Sequence, residues 1–187
     1  MREQLIATTA ALLEAQGYHA TGLNQILKES GAPKGSLYYY FPAGKEELAA
    51  AAVDHSGTLV AARIASALAD DLDPALAIPA FVRTIAHYIE AADFRAGGPL
   101  LAVALETVAS SDRLNQACRA AYDRIEAAFA AKLVAGGYSP ARAVHVAQFI
   151  TATIEGGTVL SRTYHSGDIL RRNADELAAF LRTTAKE

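Results

Sequence analysis

The chain has 187 residues and is 52% hydrophobic, so it can bury the core of one large or two small domains. Its formal net charge of −3 argues against indiscriminate nucleic-acid binding, and its single cysteine, Cys118, excludes an internal disulfide and any multi-cysteine metal site. The sequence lacks a signal-peptide pattern and any run of about eighteen uncharged apolar residues, so we expect a soluble, cytoplasmic protein.

The spacing of apolar residues predicts an all-α fold of about nine helices. Alanine is abundant, and β-branched and aromatic residues do not alternate over a useful length. The first helix is predicted over residues 2–16, where Leu5 and Leu12 belong to an apolar set at helical spacing. Gly17 follows as a residue that can end this helix.

Residues 21–47 predict a helix-turn-helix. A short amphipathic helix is expected after Thr21, which can cap it, and Gly31 can supply the left-handed residue that ends it. Pro33 suits the start of a second helix, predicted over residues 34–41, because its missing N–H costs nothing there. Two short helices joined by a turn of about three or four residues have the proportions of a DNA-binding helix-turn-helix.

The second helix carries side chains suited to a DNA surface. Leu37 and Phe41 form its inward face, while Lys34 offers a positive charge and Gly35 lets the backbone come close. Serine and tyrosine hydroxyls can donate to phosphate oxygens. The alternative is that the three consecutive tyrosines pack in the core, but a helix cannot bury three successive side chains on one face. At least one tyrosine should therefore be exposed.

Two dipeptides, Gly17-Tyr18 and Ala20-Thr21, precede the run KGSLYYYFPAGKEEL that begins at Lys34. In these residues, the segment 2–52 resembles the N-terminal domain of the TetR family of transcriptional repressors. The form FPAGKEEL, and the later GGPLLAVALE at residues 97–106, are similar to the LmrA and YxaF subgroup of that family.

The resemblance implies a three-helix DNA-binding head over residues 1–48 and a helical ligand-binding and dimerisation domain over residues 49–187. It also implies a phosphate contact at Lys45, the first residue of a long fourth helix. The residues expected to contact DNA are Thr21, Ala32, Pro33, Lys34, Gly35, Ser36, Tyr38, Tyr39, Tyr40 and Lys45. The helices after the head are predicted over residues 45–69, 74–92, 100–109, 112–134, 141–165 and 168–184.

The last two predicted helices have broad apolar faces. The corresponding pair in the family joins its mate in a four-helix bundle, so the resemblance implies a homodimer. The alternative is that these faces complete the core of a monomer. The residues expected at the interface are Val146, Ile150, Gly157, Leu160, Leu170, Ala174, Leu177 and Leu181.

TetR-like proteins are generally switches, so the resemblance also implies a small-molecule pocket within residues 55–187. Relatives in the subgroup respond to hydrophobic, often aromatic compounds. Glu106 and Glu155 lie in apolar helical contexts, where we expect an internal arginine or histidine partner or a cation in the pocket; the alternative is that each lies at an exposed helix edge. The pocket candidates, each of which is also a candidate for plain core, are Phe81, Ile85, Tyr88, Leu101, Leu105, Tyr122, Ile125, Phe129, Phe149 and Thr153.

The function that the resemblance implies is that of a ligand-responsive transcriptional repressor. It would bind a palindromic double-stranded DNA operator as a homodimer and be released by a small hydrophobic or aromatic effector, with no cofactor, metal or membrane. No nucleophile elbow, glycine-rich phosphate loop or Cys-His pair occurs, so an enzyme is not expected. The nearly neutral charge of the head leaves an alternative open, a helical interaction protein whose head no longer binds DNA.

Overall fold

A computed structural model describes residues 1–69 and 73–184, and within these ranges the backbone forms nine helices and no strand. The all-α prediction is confirmed. None of the helices in the described ranges combines the length and the apolar character needed to cross a membrane. The helices are α1 (Arg2–Ala20), α2 (Leu23–Ser30), α3 (Lys34–Tyr40), α4 (Lys45–Ala67), α5 (Pro74–Ala91), α6 (Pro99–Thr107), α7 (Asp112–Ala135), α8 (Pro140–Tyr164) and α9 (Asp168–Thr184).

Local signals explain most helix ends. Gly31 adopts the left-handed conformation, with φ of 65°, and ends α2. Asp73 caps α5 by accepting a hydrogen bond from the Ala75 N–H at 2.9 Å. Ser139 caps α8 in the same way, accepting from the Arg142 N–H at 3.3 Å.

The expectation about Gly17 is confirmed in part, and the expectation about Thr21 was wrong. Gly17 interrupts the helix with φ of 79°, and further helical residues follow it to Ala20. Thr21 does not cap α2, whose N-cap is Gly22 without a side-chain cap. The Thr21 hydroxyl instead donates to the carbonyl of Gly17, four residues earlier, at 2.6 Å.

The chain divides into two compact units. The first contains residues 1–59 and 98–123, and the second contains the described residues of 60–97 and 124–187. Helices α4 and α7 contribute residues to both units, and α6 lies wholly in the first. The predicted domain boundary after residue 48 stays a prediction.

The first unit is built around α1, which packs against α2, α3 and α6. Its apolar core is formed by the inward faces of the head helices and by the turn between α2 and α3. The buried residues of this core are Leu5, Ile6, Leu12, Ile26, Ala32, Leu37, Phe41 and Leu48.

The second unit is organised around the packing of α5 on α9, with α8 against both. Phe81 of α5 meets Phe129 of α7 edge-to-face, with ring centroids 6.1 Å apart. A Cβ atom at Gly157 would lie 2.7 Å from Leu170 Cδ2, so the glycine lets α8 and α9 approach closely.

Candidate DNA interface and regulatory surfaces

Helix α3 presents a continuous polar and aromatic surface. Leu37 and Phe41 are buried beneath it, which fixes the rotation of the helix on the head. All three tyrosines are exposed, Tyr39 most of all with 78% of its surface accessible. The aromatic residues of α3 are therefore not core residues, and the sequence prediction that at least one would be exposed is confirmed.

Most of the expected DNA-contacting residues lie together on this surface. Pro33 and Lys34 are exposed at the start of α3, Gly35 is exposed, and Ser36 is half-buried. The rings of Tyr39 and Tyr40 meet edge-to-face at 5.0 Å, so each limits the rotation of the other.

Two of the expected DNA-contacting residues have buried side chains. Thr21 is fully buried against α1, and Ala32 belongs to the core of the head. The Ala32 N–H donates to the Ser30 hydroxyl at 3.3 Å, which holds the turn between α2 and α3. These two residues shape the helix-turn-helix from within, while the exposed surface is formed by the others.

Lys45 lies at the start of α4, where its ammonium Nζ is 4.2 Å from the centroid of the Tyr18 ring. This is cation–π geometry. Burial lowers the pKa of Lys45, and the negative charge of Glu106 opposes that effect. Burial also raises the pKa of the Tyr18 hydroxyl, with a further contribution from Glu46. Tyr18 therefore remains neutral and offers Lys45 an uncharged aromatic face.

Helix α6 is attached to α1 by a carboxylate at each end. The Glu14 carboxylate accepts from the Gly98 N–H at 2.9 Å, at the start of α6. At the other end, Glu106 Oε2 accepts from the His19 N–H at 2.7 Å, and the His19 Nε2 lies 3.3 Å from the Glu106 carbonyl. The expected partner of Glu106 was an arginine, a histidine or a cation, and its partner is the backbone of a histidine.

Glu46 and Ser111 make a third contact of this kind, in which the Ser111 hydroxyl donates to the Glu46 carboxylate. It joins the first turn of α4 to the turn before α7. Sequence reasoning missed the contacts of Glu14 and Glu46, and it named only the residue type of a possible partner for Glu106, because helical periodicity does not specify which distant element packs alongside.

The pocket candidates lie in several places. In the first unit, Leu101 and Tyr122 are half-buried and Leu105 is 71% exposed. In the second unit, Ile85 is half-buried and Tyr88 is exposed, with the Arg63 guanidinium 5.9 Å from its ring centroid. The structure brings three candidates into the core of the second unit, namely Phe81, Ile125 and Phe129.

The remaining two pocket candidates, Phe149 and Thr153, line a surface groove between α8 and α9. The Phe149 ring lies 5.0 Å from that of Phe180. The groove has a volume of about 370 Å³ and is lined by Phe149, Thr153, Asn173, Glu176, Leu177 and Phe180.

Seven of the eight expected interface residues are buried inside the second unit itself, where α8 and α9 pack within one chain. Leu160 is the exception, with 46% of its surface exposed. It belongs to an outward strip of α8 that also includes Ala152, Gly156 and Val159. Helical periodicity identified a broad apolar face on each of the two helices, but it could not say how much of each face the chain itself covers. The part that these residues play in a dimer stays a prediction.

Helices α5 and α9 are also tied by polar contacts. Arg171 forms a two-pronged ion pair with Glu90, which also accepts from the Gly167 N–H at 3.1 Å. The hydrogen bond from Arg171 is the main reason why the pKa of Glu90 is below its ordinary value. Arg83 pairs with Asp175 at 2.5 Å along the same helix pair.

Cys118 is buried in the first unit, and burial raises the pKa of its thiol to about 11. The thiol therefore stays protonated at neutral pH, whereas nucleophilic and metal-binding cysteines act as thiolates. Its environment is that of a small core hydrophobe.

Comparisons with known proteins match both halves of the chain. The model described as "Bacterial regulatory proteins, tetR family" matches residues 5–52. The model described as "Transcriptional regulator LmrA/YxaF-like, C-terminal domain" matches residues 74–176. These families comprise transcriptional regulators, not enzymes.

Two relatives from Bacillus subtilis (strain 168) are similar over most of the chain. The HTH-type transcriptional regulator YxaF is 40% identical over 181 residues, which cover 97% of this chain and 95% of the relative. The HTH-type transcriptional regulator LmrA is 41% identical over 162 residues, which cover 87% of this chain and 86% of the relative. A solved TetR regulator from Chloroflexus aurantiacus superposes with a TM-score of 0.78 at 28% identity, covering 97% of this chain and 93% of its own.

Proposed function

The chain belongs to the TetR family of bacterial transcriptional regulators, with a C-terminal domain of the LmrA/YxaF-like type. From that premise, we propose that it is a repressor that binds a palindromic operator as a homodimer and leaves it when a small hydrophobic or aromatic effector binds. Because its target is bacterial DNA, the proposed location is the cytoplasm.

The exposed face of α3 is the observation that carries the DNA-binding part of the proposal. Three exposed tyrosines on one short helix are unfavourable when they contact only water, because aromatic side chains usually bury most of their surface. Their hydroxyls and rings suit phosphate oxygens and base edges, and Lys34 adds a positive charge. Lys45 adds a second charge at the start of α4.

The homodimer is supported by the outward strip of α8, defined by Ala152, Gly156, Val159 and Leu160. A Cβ atom at Gly156 would meet no other atom within 4 Å, so this part of the helix backbone is open to a close partner. The groove lined by Phe149 and Phe180 lies beside it. A second copy of the chain is a suitable occupant, since a two-fold interface presents the same strip from both sides.

The effector part of the proposal is supported by the aromatic core of the second unit. Phe81 and Phe129 are buried and meet edge-to-face, which is an environment that also suits an aromatic ligand ring. The effector would shift α4, which contributes residues to both units. It lowers operator affinity only if it binds the released state more tightly than the DNA-bound state.

The proposal is tested by fluorescence anisotropy of the full chain with the intergenic DNA upstream of its own gene, at two salt concentrations. We expect tight binding that weakens with salt and is selective over unrelated DNA of equal length. That assay then serves to screen hydrophobic and aromatic compounds for release. Weak binding that is equal for all DNA, including a genome-wide selected pool, would instead favour the interaction protein whose head no longer binds DNA.

A further inference from the structure

We propose that Glu106 is a positioning residue for DNA binding. Its carboxylate holds the Tyr18–His19 end of α1 in the place from which the Tyr18 ring supports the Lys45 ammonium. The inference rests on the proposed function, in which Lys45 contacts an operator phosphate.

The first step is the notch at Gly17, by which we mean the space beside the backbone that a side chain of residue 17 would fill. The backbone there has φ of 79°, so the helix is interrupted and a side chain would be strained. A Cβ atom at Gly17 would lie 1.9 Å from Glu106 Oε1. The space left by the missing side chain is therefore occupied by the carboxylate of Glu106, a residue of α6.

The second step is the backbone N–H of His19. After an interruption at Gly17, this N–H lacks the regular acceptor of an unbroken helix, and it donates to Glu106 Oε2 at 2.7 Å. The His19 ring reaches the Glu106 carbonyl from the same side. Glu106 thus supplies the acceptor that the interrupted end of α1 requires.

The third step is the pair of aromatic rings that follows. Tyr18 and His19 meet edge-to-face, with ring centroids 5.4 Å apart. The Tyr18 ring also contacts the Lys45 ammonium, which lies 4.2 Å from the ring centroid. A displacement of His19 would therefore move the surface on which Lys45 rests.

The charge of Glu106 acts on Lys45 as well. It opposes the lowering of the Lys45 pKa by burial and so favours the ammonium form that a phosphate requires. A lysine that was left free to rotate would lose more side-chain entropy on binding DNA than one already held over a ring.

The experiment compares Glu106→Gln with Glu106→Ala in the full-length protein. Removing a negative charge close to Lys45 would by itself strengthen DNA binding, and both variants remove the charge of Glu106. Glutamine keeps an oxygen that can accept from His19, whereas alanine does not. We expect E106Q to bind the operator at least as tightly as the wild type and E106A to bind roughly tenfold more weakly than E106Q.

A double-mutant cycle shows whether the effect passes through Lys45. In a Lys45→Ala background, replacing Glu106 by alanine should lower the operator affinity little further. The Lys45→Ala protein should already have a slope of log affinity against log salt that is lower by about 0.9. Glu126→Ala, which removes a half-buried glutamate elsewhere, is the matched control. Equal affinities of E106Q and E106A, or the same loss from E106A with and without Lys45, would overturn the inference.

A second measurement does not depend on DNA. The NMR signals of the Lys45 ε-methylene protons should carry a ring-current shift from Tyr18 that E106Q keeps and E106A loses. If no operator is bound but this pattern is found, the proposed function has failed and the positioning by Glu106 stands. If all three proteins show the same Lys45 shift, the positioning role is refuted whatever the DNA result.

Discussion

The exposed residues of α3 divide by chemistry into two groups. Lys34 carries a charge that any phosphate attracts, whereas the Tyr39 ring and hydroxyl can reach base edges, which differ between sequences. Neither side chain contributes to the core of the head, which Leu37 and Phe41 supply. Substitution of either exposed residue should therefore change DNA binding without unfolding the protein.

Replacing Lys34 by alanine should weaken binding to all DNA sequences and reduce the slope of log affinity against log salt by about 0.9. Replacing Tyr39 by alanine should change the preferred sequence and leave the salt dependence nearly unchanged. Anisotropy titrations over a salt series, with an operator and its single-base variants, measure both quantities. If the two variants lowered affinity equally for every sequence, this division of roles would be wrong.

Among the helices, the packing of α5 on α9 depends on polar contacts as well as on apolar burial. The contact between Glu90 and Arg171 is accompanied by the donation of the Gly167 N–H to the same carboxylate. This arrangement stabilises the ionised carboxylate, so the pKa of Glu90 is lower in the folded protein than in the unfolded chain.

This lowered pKa predicts a loss of stability in acid. The contribution of Glu90 is complete above its unfolded-state pKa, about 4.3, and is lost as the pH falls through the lower folded-state value. Replacing Glu90 by glutamine should therefore reduce the drop in the urea midpoint between about pH 6 and about pH 3. Glu126→Gln is the matched control. An E90Q protein with the wild-type pH dependence would contradict the prediction.

The outward strip of α8 gives a second prediction for this pair of helices. Replacing Leu160 by glutamate places a charge in the proposed two-fold interface, where the partner's identical charge would face it. We expect light scattering to show a dimer for the wild type and a monomer for the Leu160→Glu variant, and the variant should bind the operator more weakly. Leu76→Glu alters an equally exposed leucine on α5 and should change neither. A Leu160→Glu protein that remains dimeric would exclude this strip as the interface.

For the whole molecule, the nearly neutral head predicts that the proposed homodimer needs both of its heads to bind DNA tightly. A single head has few positive charges with which to release counterions, so its affinity alone should be low. Two heads on one two-fold axis bind half-sites on the same side of the DNA, and linking them raises the effective concentration of the second.

Inserting about five base pairs between the operator half-sites rotates one of them by roughly half a turn of DNA. We expect this operator to lose nearly all of the specific affinity and to bind no better than a single half-site. The companion experiment inserts about ten base pairs, which returns both half-sites to the same side of the DNA but increases the distance between them. Unchanged binding after the half-turn insertion would show that the two heads act independently.

The sequence by itself determined the all-α fold, nearly every helix end and the helix-turn-helix. These features depend on residues only a few positions apart, such as the left-handed Gly31 or the Asp73 cap of α5, so their signals can be read locally. Only the tertiary structure decided which apolar face of α8 is covered by α9, and that Glu106 fills the notch at Gly17. Both depend on which distant helix packs alongside, and helical periodicity specifies a face but not its partner.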